Sequence, residues 1–161
     1  MSVNSELRWS TTVTTTAMTA LLALVATTLA VMSSVASVDA VTTPASVFEP
    51  VTPCRVLDTR SERERLTAGD TVEIDVAGRC GVPDDATAVA VTITVVQPDA
   101  QGFVVGYPTG TSRPNASSVN YQPGEVIANL QLLQLGSGSI SVYSLAATDL
   151  VVDVGGAFVT A

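Results

Sequence analysis

Ala88-Val-Ala-Val-Thr-Ile-Thr-Val-Val96 is the stretch on which the fold turns. In an extended chain it puts Val89, Val91, Ile93 and Val95 on one face and Ala88, Ala90, Thr92 and Thr94 on the other, a period that no helix produces. Its second face is small and uncharged, as in a strand covered on both sides. The pattern recurs in Thr71 to Val76, where Val72, Ile74 and Val76 oppose Glu73 and Asp75, giving one buried and one wet face. Arg55–Asp58, Phe103–Tyr107, Ser117–Tyr121, Ile127–Leu135, Ile140–Ser144 and Leu150–Val154 are further short runs, separated by Gly, Pro, Asn and Asp. Gly106 marks a bulge or a close approach. Leu130 and Leu132 are out of phase with Leu133 and Leu135, which predicts a β-bulge. Gly136-Ser-Gly-Ser139 reads as a hairpin turn, and Ser61 to Arg65 as at most one helical turn. With three Phe, three Tyr and one Trp (Trp9), the core must come from Val, Leu, Ile and Ala. The expected fold is all-β: a single antiparallel β-sandwich of about eight strands.

Composition excludes several chemistries. The 161 residues carry 15 Asp+Glu, 7 basic residues that are all Arg, and no His, for a net charge of −8. No imidazole base, His-based triad or imidazole metal ligand can be built. Two Cys are too few for a thiolate zinc site. The acidic balance argues against nucleic acid and anionic membrane surfaces as partners. A Ser nucleophile would have neither His nor Lys as base, and one carboxylate pair among so many acids signals no glycosidase. No cofactor and no enzymatic activity are expected.

The N-terminal 40 residues read as an address. Arg8 precedes an apolar run from Ala17 to Met32, followed by small residues through Ala36 and Ala40. This is the order of a secretory signal peptide, with Ala36 or Ala40 just before cleavage. The run of 16 residues, with three Thr, is short of the roughly 20 that a spanning helix needs, so no stable membrane insertion is expected after cleavage. Residues 1–40 are thus assigned as signal peptide, 41–47 as flexible leader and 48–161 as the β-sandwich domain. In an exported chain, Cys54 and Cys80 read as one disulfide, closing a loop of roughly 27 residues and stabilising the fold by about 3.5 kcal/mol.

The landmarks also occur in a familiar order: Pro53-Cys-Arg-Val-Leu-Asp-Thr-Arg60, Ala77-Gly-Arg-Cys-Gly-Val-Pro83, Gly102-Phe103, Arg113-Pro114, Asn120-Tyr121, and Asp149-Leu-Val-Val-Asp153-Val154. The chain resembles an uncharacterised all-β module that recurs in secreted bacterial proteins, alone, in tandem or appended to hydrolases. The likeness spans residues 48 to 158. Such modules often end in an aromatic pair after the last Gly, whereas here Ala157 and Phe158 follow Gly156. The resemblance implies an extracellular accessory or structural unit and brings no catalytic residues.

Three groups are candidate sites. Asp58 and Arg60 share a face of the first strand, with Arg55 opposite. They form either a carboxylate- or sugar-binding patch or, the stronger reading, an ion pair that pins the strand. Asp149 and Asp153 share a face and are weak Ca2+ candidates, short of the oxygens such a site needs; pairing of Asp153 with Arg60 or Arg113 is the expected alternative. Tyr107 and Tyr121 are the aromatic candidates for a sugar platform, alongside Arg60 and Arg113. The functional expectation is a secreted or cell-surface non-catalytic module with a structural, adhesion or assembly role. Its alternative is a carbohydrate-binding module for the cell wall or extracellular polysaccharide. The partner would be a protein or polysaccharide at the cell surface, with self-association through strand edges that no Lys guards.

Overall fold

The computed structural model describes residues 44–161. The signal-peptide assignment, and the first three residues of the leader, lie outside the described residues. The elements are β1 (Ser46–Asp58), a helical turn α1 (Thr59–Glu62), β2 (Thr71–Asp75), β3 (Ala88–Val96), β4 (Gly102–Pro108), β5 (Val119–Tyr121), β6 (Val126–Gln134), β7 (Ser139–Ser144) and β8 (Asp149–Thr160). They form two antiparallel four-stranded sheets, ordered β1-β8-β3-β6 and β2-β7-β4-β5, in a β-sandwich. Val89, Val91, Ile93 and Val95 of β3, with Val152 and Val154 of β8, meet Val72, Ile74, Val104, Ile140 and Val142 of the second sheet in one core cluster. The alternation in β2 and β3 therefore places their side chains as expected.

β1 is much longer than the Arg55–Asp58 run. It starts inside the stretch assigned as leader, with Ser46 opposite Thr160 and Val47 opposite Val159. Pro50 and Pro53 obscure it in the sequence. They are tolerated because β1 lies at a sheet margin, where a missing N–H need not break a ladder. Its register with β8 shifts between Pro50 and Cys54 and again between Arg55 and Leu57. The Cys54–Cys80 disulfide joins this irregular strand to the connection leaving β2. Beside it, Arg79 donates to the carbonyls of Asp75 (2.9 Å) and Val56 (3.3 Å), so one side chain ties both sheets.

β6 carries no bulge. All nine of its residues pair with β3 without a shift, Leu130 opposite Thr92 and Leu132 opposite Ala90. The change of phase has another cause: Leu133 faces the core, while Leu130 and Leu132 point to solvent, 61% and 64% exposed. The turn at Gly136–Ser139 is closed by two backbone hydrogen bonds, with Ser137 and Gly138 at positive φ. Yet the strands it joins part at once, β6 to one sheet and β7 to the other. Gly106 is a close approach, since a Cβ there would lie 2.7 Å from Leu133 Cδ1 and the β4–β7 register is unbroken.

Candidate functional site

The outer face of the first sheet carries a guanidinium–carboxylate network where β1 ends. Asp58 caps α1, accepting from the Arg60 backbone N–H at 3.1 Å. The same carboxylate receives Arg60 Nε (2.8 Å) and Nη2 (2.7 Å), and Arg55 Nη1 at 3.1 Å. Arg55 then grips Asp153 with Nε and Nη2, at 2.9 and 3.2 Å. Strict alternation would set Arg55 opposite Asp58, but the register shift after Arg55 brings them to one side. The partner of Asp153 is therefore Arg55, in place of Arg60 or Arg113. The Arg60 hydrogen bonds are the main cause of an Asp58 carboxyl held at about 2, below its ordinary 3.8. Such a group is ionised at neutral pH and cannot serve as a proton donor.

Asp149 is engaged separately. It accepts from Thr59 Oγ1 at 2.8 Å and from Arg65 Nη1 at 3.3 Å, and Thr59 Oγ1 in turn accepts the Leu150 N–H. Arg65 also reaches Asp99 at 2.7 Å and the Ala147 carbonyl, stitching the β3–β4 and β7–β8 connections together. Asp149 and Asp153 thus share a face of β8 but answer to different arginines. Among the described residues no three carboxylates or thiols are placed to hold a metal ion.

The second sheet turns a different surface outward. Phe103, Val105 and Tyr107 of β4 and Tyr143 of β7 face away from the core, with Val105 opposite Tyr143 in register. The connection from β4 to β5 returns over this face. Thr109 Oγ1 lies 2.9 Å from Ser141 Oγ, and the Arg113 guanidinium stacks 3.7 Å above the Tyr143 ring. Phe103 stands 6.2 Å from the same ring, tilted by 44°. Arg113, Asn115, Ser117, Asn120 and Phe103 line an open depression of about 440 Å³. Across Phe103 and Asn120, a second of about 390 Å³ is lined by Gln101, Gln122 and Leu145. Aromatic and apolar walls with convergent amides and one cation make an open shelf whose lining contains no acid.

Of the sequence candidates, Arg113 belongs to this shelf. Tyr107 shares the outer face but lines neither depression. Arg60 lies on the other sheet, in the ionic network. Tyr121 borders the second depression but presents almost no surface: it is 2% exposed, its hydroxyl 3.0 Å from Ser144 Oγ and accepting the Ala146 N–H at 3.1 Å. Its alternation with Val119 puts it on the core side. Phe103 and Tyr143, two of the six aromatics that the sequence makes available, form the shelf with Asn120, and none of the three is among the binding candidates. The parity of Tyr143 against buried Ile140 and Val142 is the signal that places it outside. Phe158, alone after Gly156, finds its ring partner in Phe48 on β1, 5.1 Å away.

No family model matches the chain, and no curated protein matches it.

Proposed function

We propose that the chain is a secreted or cell-surface module without catalytic chemistry, which works by surface contact in adhesion or assembly. The observation that carries this reading is the state of its carboxylates. Asp58, Asp149 and Asp153 are each paired with arginines, and hydrogen bonds from Arg60 hold the Asp58 carboxyl well below its ordinary range, whereas glycoside chemistry needs one acid kept protonated. A disulfide between the only two cysteines supports an oxidising compartment. The resemblance to modules of secreted bacterial proteins points the same way. Turnover of a glycan, ester or peptide substrate by rigorously purified protein, lost on Asp58→Asn or Asp153→Asn, would overturn it.

A second reading, carbohydrate binding, has its own observation in the Phe103–Tyr143–Arg113 shelf. Sugar rings offer C–H faces that lie on aromatic rings and hydroxyls that take bonds from amides and guanidinium, which is what the shelf presents. Retention on cell-wall polysaccharide or a glycan array is the test. Phe103→Ala and Arg113→Ala are expected to abolish retention, and Tyr107→Ala to leave most of it. Retention indifferent to Phe103 and Arg113 would remove this reading.

A further inference from the structure

Among the described residues four strands lie at sheet margins, and three are guarded against pairing with another chain. β1 has Pro50, Pro53 and two register shifts. β2 is five residues long and carries Glu73 and Asp75, and β5 has only three residues. β6 is the exception. Its nine residues, Val126 to Gln134, include no charge and no proline and run in unbroken register. Val126, Leu130 and Leu132 are 67%, 61% and 64% exposed, on an outer face where the adjoining β3 contributes only Ala, Thr and Val.

We infer that this margin is the interface with a second copy of the chain, joined β6 to β6 in antiparallel sense about Leu130. Charge selects both the occupant and the orientation. A copy with net charge −8 is repelled over most of its own surface, and β6 with the outer face of β3 is a region without charged side chains. The nearest acid in sequence is Glu125. Parallel pairing would set two Glu125 side by side. Antiparallel pairing about Leu130 sets each opposite Leu135 of the other copy, separating the two acids by about 33 Å along the strand, several Debye lengths at physiological salt.

In that arrangement Leu130 meets its own counterpart, Ala128 meets Leu132, and Ile127 meets Leu133. Sheet β1-β8-β3-β6 continues into its twin as eight strands. The exposed parts of Val126, Ile127, Leu130 and Leu132 amount to roughly 400 Å² of apolar surface per copy, about half of what each partner of a stable interface buries. The open backbone edge and the small residues of β3 supply the remainder. The two-fold axis closes the assembly at a dimer, because the opposite margin is the proline-interrupted β1. This pairing goes beyond the attachment reading and does not depend on the shelf.

Because residue 130 faces itself across the axis, a charge swap tests the geometry. Sedimentation equilibrium of the purified protein is expected to show a concentration-dependent dimer. Leu130→Glu and Leu130→Lys, at an exposed position, are each expected to weaken it by roughly 10- to 100-fold while keeping the thermal transition that the wild type shows when diluted to monomer. An equimolar mixture of the two is expected to dimerise again, as a heterodimer. A wild type that stays monomeric at every concentration would overturn the proposal, as would a dimer indifferent to Leu130→Glu or a mixture that stays monomeric. Polysaccharide retention measured on monomeric Leu130→Glu separates this outcome from failure of the shelf reading.

Discussion

At the β1 margin of the first sheet, Arg55, Asp58, Arg60 and Asp153 bond to one another, a disulfide anchors the strand, and two prolines interrupt its ladder. At the β6 margin, nine uncharged residues keep perfect register and leave four large aliphatic side chains exposed. Both strands belong to one sheet and both flank the same buried pair, β8 and β3. At β1 the reactive groups are satisfied within the molecule, so the margin contributes stability. At β6 the amides of Asn129 and Gln131 bond to the Ser118 carbonyl, while Val126, Leu130 and Leu132 stay largely exposed, and it is on these that the proposed pairing draws. The shelf on the second sheet resembles β6 in this respect: Arg113 bears on Tyr143, yet amides and aromatic edges around it remain at the surface.

Substitutions at the two kinds of region should therefore separate cleanly into effects on stability and effects on binding. The largest loss of stability is expected from Cys54→Ser with Cys80→Ser, about 3–4 kcal/mol by chain entropy, read as a lower denaturant midpoint. An unchanged midpoint would mean that the β1 margin is held by its ionic network alone. Tyr121→Phe is next, at about 1–3 kcal/mol, because the buried Ala146 N–H and Ser144 hydroxyl lose a partner. It should leave polysaccharide retention untouched per folded molecule.

The ionic network adds a dependence on pH. The Asp58 carboxyl is held at about 2 in the fold against 3.8 ordinarily, chiefly by hydrogen bonds from Arg60. The folded state thus binds this proton more weakly than the unfolded chain does. Its stabilisation is complete above pH 3.8 and is lost as the pH falls through about 2. Asp70, lowered by hydrogen bonds from Thr67, changes stability in the same direction. Unfolding followed by circular dichroism across that window should show a smaller acid-induced loss in Asp58→Asn than in wild type. An identical pH profile would contradict the Arg60 pairing.

The smallest stability effects are expected where binding effects are greatest. Arg113→Ala removes one cation–π contact, about 0.5–1 kcal/mol at an exposed site, while abolishing retention on polysaccharide. Leu130→Ala should change monomer stability by less than about 0.5 kcal/mol, since its side chain is mostly in solvent. A large destabilisation at Leu130 would show that β6 is covered from within, and the contrast between the margins would collapse.

The parts of this architecture that are legible in the sequence are those governed by neighbours along the chain. Val72, Ile74 and Val89 to Val95 declare their buried face because side chains in a strand alternate, and Gly136 to Ser139 declares a turn because Gly138 accommodates positive φ. Strand 1 was only partly visible, since Pro50 and Pro53 signal a break unless the strand is known to lie at an edge. The candidate site was less legible still. Tyr107, Tyr121 and Tyr143 are chemically equivalent as letters, and only packing puts the second inside and Arg113 over the third.

Taken alone, the sequence determined an all-β chain, its turns, the pairing of its only two cysteines, and the absence of imidazole chemistry. Those follow from local backbone preference and from counting. Tertiary structure decided which strands lie at the margins, which arginine holds Asp153, and that Leu130 and Leu132 face water without any bulge. Each of these depends on a partner tens of residues away, and the register that brings the two together is set by the packing of both sheets at once.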